Sequence, residues 1–144
     1  MRTLHMSRAV YDAIRRHAEL SYPDECCGAL LGIGTQDGWR VDASIEAANL
    51  NAGTVRSRYQ IAPRDLVAIE RAARERGLGI AGFYHSHPDG PAQWSQVDLS
   101  EAHWPGCSCV ITSVHRGKAE QTRSFTLAGG SDKRFEPESI AVEE

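Results

Sequence analysis

The stretch LGIAGFYHSHPDGPAQWSQVDLSEAHW, residues 78–104, decides how the chain is read. Its first part, up to His87, is an apolar run that favours extended backbone and ends at Pro88, so it reads as a buried central strand. The loop PDGPAQW follows, and Ser95 then stands where a short helix can be capped before Pro105 closes it. On a strand, side chains at i and i+2 share a face, so His85 and His87 project together while Ser86 points away. The C-terminal end of a central strand is where open α/β sheets place their sites. Asp98 lies eleven residues after His87, in the next helix, where one loop can fold it back onto the two imidazoles.

Outward from this stretch the chain alternates between elements. Upstream, Pro63 can open a helix over RDLVAIERAARERG, with Leu66, Ile69 and Ala73 on one face and Gly77 as its stop. SRYQIA before it reads as a strand, as do CGALLGIG and the partly alternating WRVDASIEAAN, with an irregular loop around NLNAGTV. Near the start, Ser7 can cap a helix carrying Val10, Ile14 and Ala18 at helical spacing, ended by SYP at 21–23. Downstream, CSCVITSV is a strong strand and AEQTRSFTL a weaker one, while residues 129–144 read as a polar tail, partly disordered. Strands interleaved with three helices predict a single α/β domain over 1–128, a mixed β-sheet flanked by helices on both faces.

Composition limits the function classes. With 144 residues there is room for one ordinary domain, and 41% hydrophobic with 24% charged residues is usual for a globular protein. A net charge of -3, with the basic residues scattered, argues against nucleic acid. No window offers the roughly 18 apolar residues of a spanning helix. The opening MRTLHMSRAV lacks the apolar core of a secretory signal, so no membrane partner and a cytoplasmic location are expected. The four cysteines, Cys26, Cys27, Cys107 and Cys109, have neither zinc-ribbon nor disulfide-framework spacing and read as small buried residues.

Two imidazoles and a carboxylate make an N, N, O ligand set, which leaves a fourth tetrahedral position for water as catalytic zinc sites do. A plainer account exists: a His-x-His pair is common, and Ser95-x-x-Asp98 is also a capping box that would explain both residues by itself. The full spacing, His-x-His-x7-Ser-x2-Asp, is far more restrictive than either piece.

HSHPDGPAQWSQVD resembles the signature of the JAMM, or MPN-plus, metalloprotease family without departure. That family also carries a glutamate far upstream, commonly followed by Cys-Gly, and YPDECCGALLG offers Glu25 in the matching place. Without the downstream motif Glu25 would read as a solvated acid. The resemblance runs over nearly the whole chain and is to the short prokaryotic branch. It implies a cytidine-deaminase-like fold, one Zn2+ per chain held by His85, His87 and Asp98, Glu25 as proton shuttle and Ser95 as oxyanion donor. It also implies cleavage of an amide or isopeptide bond after the C-terminal Gly-Gly of a small ubiquitin-like β-grasp sulfur carrier. Alternation puts Cys27 on the Glu25 face, where it would line the site. Trp94 and Trp104 flank the site helix as packing residues, and His103 is a candidate neighbour of the ligands.

Two rivals are weighed. A zinc nucleoside deaminase needs His-x-Glu followed by Pro-Cys-x-x-Cys, and neither half is present. A non-catalytic MPN-type scaffold is expected to lack ligands, whereas Glu25, His85, His87, Ser95 and Asp98 all stand in the chain.

Overall fold

The computed structural model describes residues 2–53, 58–102 and 104–144. Seven strands and three helices follow in the order β1 (Thr3–Ser7), α1 (Arg8–Ser21), β2 (Cys27–Thr35), β3 (Gly38–Ala47), α2 (Pro63–Glu75), β4 (Gly79–Pro88), α3 (Gln96–Glu101), β5 (Ser108–His115), β6 (Lys118–Ala128) and β7 (Arg134–Glu143). The sheet is mixed: β1 runs parallel to β3 and to β7, β4 runs parallel to β5, and the remaining pairs are antiparallel.

Three expectations are corrected. The sheet is not open, because β1 pairs with both β3 and β7 and closes the order β1-β3-β2-β4-β5-β6-β7 into a barrel. Residues 129–144 are not a loose polar tail, since β7 pairs first with β6 and then with β1. Its polar sequence still buries a residue on each face, Phe135 on the side that α3 covers and Glu138 on the opposite side with Ser124. Residues 58–62 form no strand, although SRYQIA reads as one. Conversely, β1 was not anticipated; five residues with Leu4 and Met6 alternating inward suffice because partners lie on both sides.

Each helix is placed by its apolar stripe. Ser7 Oγ accepts the Val10 N–H at 3.2 Å and starts α1, whose Val10, Ile14 and Ala18 pack with Leu4, Met6, Leu30, Tyr84 and Val110. Where β6 extends past its pairing with β7, α1 satisfies it: Arg15 donates to the carbonyls of Ala119 (3.2 Å) and Glu120 (3.0 Å). The other face of β2 and β4 carries Ala29, Leu31 and Phe83 beneath Ile69 and Ala73 of α2. Leu99 of α3 packs over Ile111, Phe125 and Phe135. Burying each Leu, Ile, Val or Phe contributes roughly 1.5–3 kcal/mol. Because side chains alternate along β4, Tyr84 faces α1 while His85 and His87 face the side of α2 and α3. Among the described residues, no helix is long and apolar enough to cross a membrane.

Candidate metal centre and active site

His85 and His87 leave β4 on one face, and their Nε2 atoms lie 3.2 Å apart. Asp98 comes up from α3 with Oδ1 3.2 Å from His85 Nε2 and Oδ2 3.3 Å from His87 Nε2. The helix start aims it: Ser95 Oγ accepts the Asp98 N–H while Asp98 Oδ2 accepts the Ser95 N–H, a reciprocal capping box. The geometry that forms the cap is thus also the one that points Asp98 at the two imidazoles.

The proton positions on His87 follow from its partners. Its Nδ1 lies 2.9 Å from the Pro91 carbonyl, which can only accept, so Nδ1 carries a hydrogen and Nε2 is the nitrogen turned to the cluster. That nitrogen faces a carboxylate oxygen and a second imidazole nitrogen. Acceptors turned toward one another repel unless a cation, a proton or a metal, stands between them. Ligand atoms of His85, His87 and Asp98 all lie within 4.8 Å of one another, so the three residues fit a bound metal ion. Two nitrogens and an oxygen are a donor set suited to zinc.

Electrostatics reflect the same crowding. Burial opposes ionisation of Asp98, but its contacts with His85 and His87 outweigh it and hold the carboxyl far below the usual carboxylate range. His85 is fully buried and its pKa is lowered, because desolvation of the cation exceeds the help from Asp98. For His87 burial also lowers the pKa, but Asp98 and the Pro91 carbonyl reverse it and the net shift is upward.

Glu25 stands just ahead of β2, where Cys27 pairs with His85. It is no solvated acid: only 4% of it is exposed, and Oε1 has no hydrogen-bond partner among the described residues. Burial pushes its carboxyl up to about 8, opposed by the charge of His87 and reinforced by those of Asp98 and Glu101. Its backbone is tied down: the Glu25 carbonyl accepts from Asn49 Nδ2 at 3.0 Å, and the next N–H, of Cys26, donates to Ser86 Oγ at 2.9 Å. Ser86, the middle residue of the His pair, thus holds the entry of β2 against β4.

The other expectations resolve individually. Cys26 packs in the core beneath α1, while Cys27 is buried opposite His85 with its thiol toward the carbonyls of Ala47 and Ala48. Burial pushes both thiols up to about 12, so they are neutral. Cys107 and Cys109 are only half-buried, and all four cysteines are free. Trp94 packs on Phe135, and Trp104 stands edge-on to Phe83. His103 lies outside the described residues.

Sequence reasoning missed the segment between β3 and α2. Tyr59 stacks on the His85 ring with centroids 4.6 Å apart, and Arg58 makes an ion pair with Glu101 of α3. A cleft of about 640 Å³ opens from Asp98 and is lined by Tyr59, Phe83, Trp104, Cys109 and Phe135 among others. The aromatic residue four positions ahead of the helix-opening Pro63 was the available signal, but it was absorbed into a strand reading.

Comparison with known proteins adds an independent finding. The family model for prokaryotic homologs of the JAB domain matches residues 7–128. A Haloferax volcanii protein named desampylase is 30% identical over 135 residues, 87% of this chain and 95% of that protein. A Mycobacterium tuberculosis protein named CysO-cysteine peptidase is 26% identical over 120 residues, covering 83% of this chain and 80% of that one. A solution structure of a Desulfitobacterium hafniense protein superposes with a TM-score of 0.84 at 26% identity, covering 98% of this chain and 93% of that one.

Proposed function

This chain belongs to the prokaryotic homologs of the JAB domain, and from that premise we propose that it is a zinc-dependent hydrolase cleaving the amide or isopeptide bond after the C-terminal Gly-Gly of a small ubiquitin-like β-grasp sulfur carrier. The observation that carries this reading is the convergence of His85, His87 and Asp98 beside the buried carboxyl of Glu25. Similarity to proteins named desampylase and CysO-cysteine peptidase supports the substrate class.

In this reading His85, His87 and Asp98 hold one zinc ion, which when bound acidifies a water and polarises the scissile carbonyl. Glu25 takes the proton from the attacking water and passes it to the departing amine. In the metal-free protein burial pushes that carboxyl up to about 8, and a cation held beside it would favour the carboxylate and bring it back toward the range of a base. Ser95 Oγ accepts the Asp98 N–H through a lone pair, so its own O–H is available to the oxyanion of the tetrahedral intermediate. The cleft running from Asp98 takes the extended tail of the carrier.

The test uses zinc-loaded protein and a β-grasp protein whose Gly-Gly is extended by cysteine or a short peptide. Mass spectrometry should show release of the extension, and a chelator should suppress it. An uncleaved tail across carriers with cysteine, peptide and lysine-linked extensions would overturn the reading.

A further inference from the structure

Asn49 lies outside the ligand set, yet its side chain joins two parts of the site. Its Nδ2 donates to the Glu25 carbonyl at 3.0 Å. Its Oδ1 accepts two backbone N–H groups, from Asn51 at 2.9 Å and from Gln60 at 3.0 Å. Gln60 follows Tyr59, whose ring stacks on His85, and the Gln60 carbonyl is bound in turn by the Leu50 N–H at 2.8 Å. The same turn reaches back once more, with the Gly53 N–H donating to Asp24 Oδ1 at 3.0 Å. One amide thus uses its donor on the residue that carries the buried carboxyl and its acceptor on the segment that carries the aromatic cover of His85.

We propose that Asn49 is a positioning residue that couples Glu25 to the Tyr59 segment, fixing both against the His85, His87 and Asp98 cluster; its bearing on turnover rests on the hydrolase reading above. Residues 58–62 form no strand, so nothing periodic fixes their register. Their placement comes from the pair of bonds between Gln60 and residues 49 and 50, together with the Tyr59 stack and the Arg58 ion pair. Glu25 likewise precedes β2 rather than lying in it, and the Asn49 and Ser86 contacts hold the two opposite edges of the one peptide that joins it to Cys26. An amide is the one side chain of this size that serves a carbonyl and two N–H groups together.

Two variants separate the halves. Asn49→Asp keeps the acceptor for Asn51 and Gln60 but removes the donor to Glu25; Asn49→Ala removes both. Neither touches a ligand, so zinc should stay near one equivalent per chain in each. Amide hydrogen exchange at Asn51 and Gln60 should accelerate in Asn49→Ala and stay protected in Asn49→Asp, and the Glu25 carbonyl carbon-13 shift should move in both. With a cleavable carrier, Asn49→Asp should lose about 10²-fold in kcat with KM kept, the scale of a misplaced catalytic group, while Asn49→Ala should lose kcat and raise KM. Unchanged exchange at Gln60 in Asn49→Ala, or an unmoved Glu25 carbonyl signal in Asn49→Asp, would overturn the coupling. Parental kcat in Asn49→Asp would overturn its role in turnover. A parent that holds zinc but cleaves nothing sinks the hydrolase reading instead, and the exchange and carbonyl signals still decide the coupling.

Discussion

Ser95 and Asp98 bind each other twice, Ser95 Oγ taking the Asp98 N–H at 3.1 Å and Asp98 Oδ2 taking the Ser95 N–H at 2.8 Å. One turn of chain therefore starts α3 and turns a carboxylate toward two imidazoles. The arrangement explains why the spacing between these residues is fixed: moving either by one position would lose the cap and the aim together.

Replacing Ser95 with Ala should expose both duties. The lost cap costs about 1 kcal/mol of stability, read from denaturant midpoints. Loss of the oxyanion donor should cut turnover by about 10² to 10³-fold. A variant that loses only stability and keeps its turnover would remove Ser95 from the chemistry.

Zinc binding should follow the three converging side chains. The parent is expected to carry about one equivalent by elemental analysis, and His85→Ala, His87→Ala or Asp98→Ala should each remove it, since two remaining ligands hold zinc poorly. Replacing Cys107 and Cys109 together should leave the zinc in place, because these thiols are not among the converging donors. Full zinc in His87→Ala would sink the ligand assignment.

Gly28 should tolerate no side chain. A Cβ there would lie 2.3 Å from the Tyr84 ring and 2.4 Å from the Ile45 carbonyl, both fixed by the sheet. Gly28→Ala should therefore destabilise by about 1–3 kcal/mol or more, as overpacking does. Thermal melts of the two proteins check it; an unchanged melting temperature would mean that β2 and β4 separate more easily than their register suggests.

How much of this was legible beforehand depended on sequence distance. His85, His87, Ser95 and Asp98 lie within one strand, loop and helix, so strand alternation and capping chemistry fix their directions locally. Glu25 is remote, and only a family resemblance pointed to it. Asn49 was invisible because its contacts arise in a segment without period, and the one signal there, the aromatic Tyr59 ahead of Pro63, fits a strand reading equally well. The barrel closure was equally hidden: β7 mixes Pro137 and an inward Glu138 into a polar stretch, and nothing local indicates that β6 and β1 wait on either side. Inside, Glu138 Oε1 accepts from the hydroxyls of Ser108 on β5 and Ser124 on β6, contacts that no pattern within β7 announces.

Glu25 makes the metal-free protein sensitive to pH in a defined direction. Its folded carboxyl is pushed from an ordinary 4.5 up to about 8, so between these values the folded state holds a proton that the unfolded chain releases. The stabilisation from the neutral acid is complete below about 4.5 and is lost as pH rises through about 8. Glu25→Gln is neutral at every pH and escapes this loss. Measured in chelator, its stability relative to the parent should therefore grow from pH 5 to pH 8, by an amount on the order of a few kcal/mol. With zinc restored, Glu25→Gln should fold and hold the metal while its turnover collapses, because the amide keeps the shape of the side chain but takes up no proton. If its stability advantage shrinks with rising pH, the Glu25 carboxyl is not held neutral by burial; if it cleaves as fast as the parent, Glu25 is not the base.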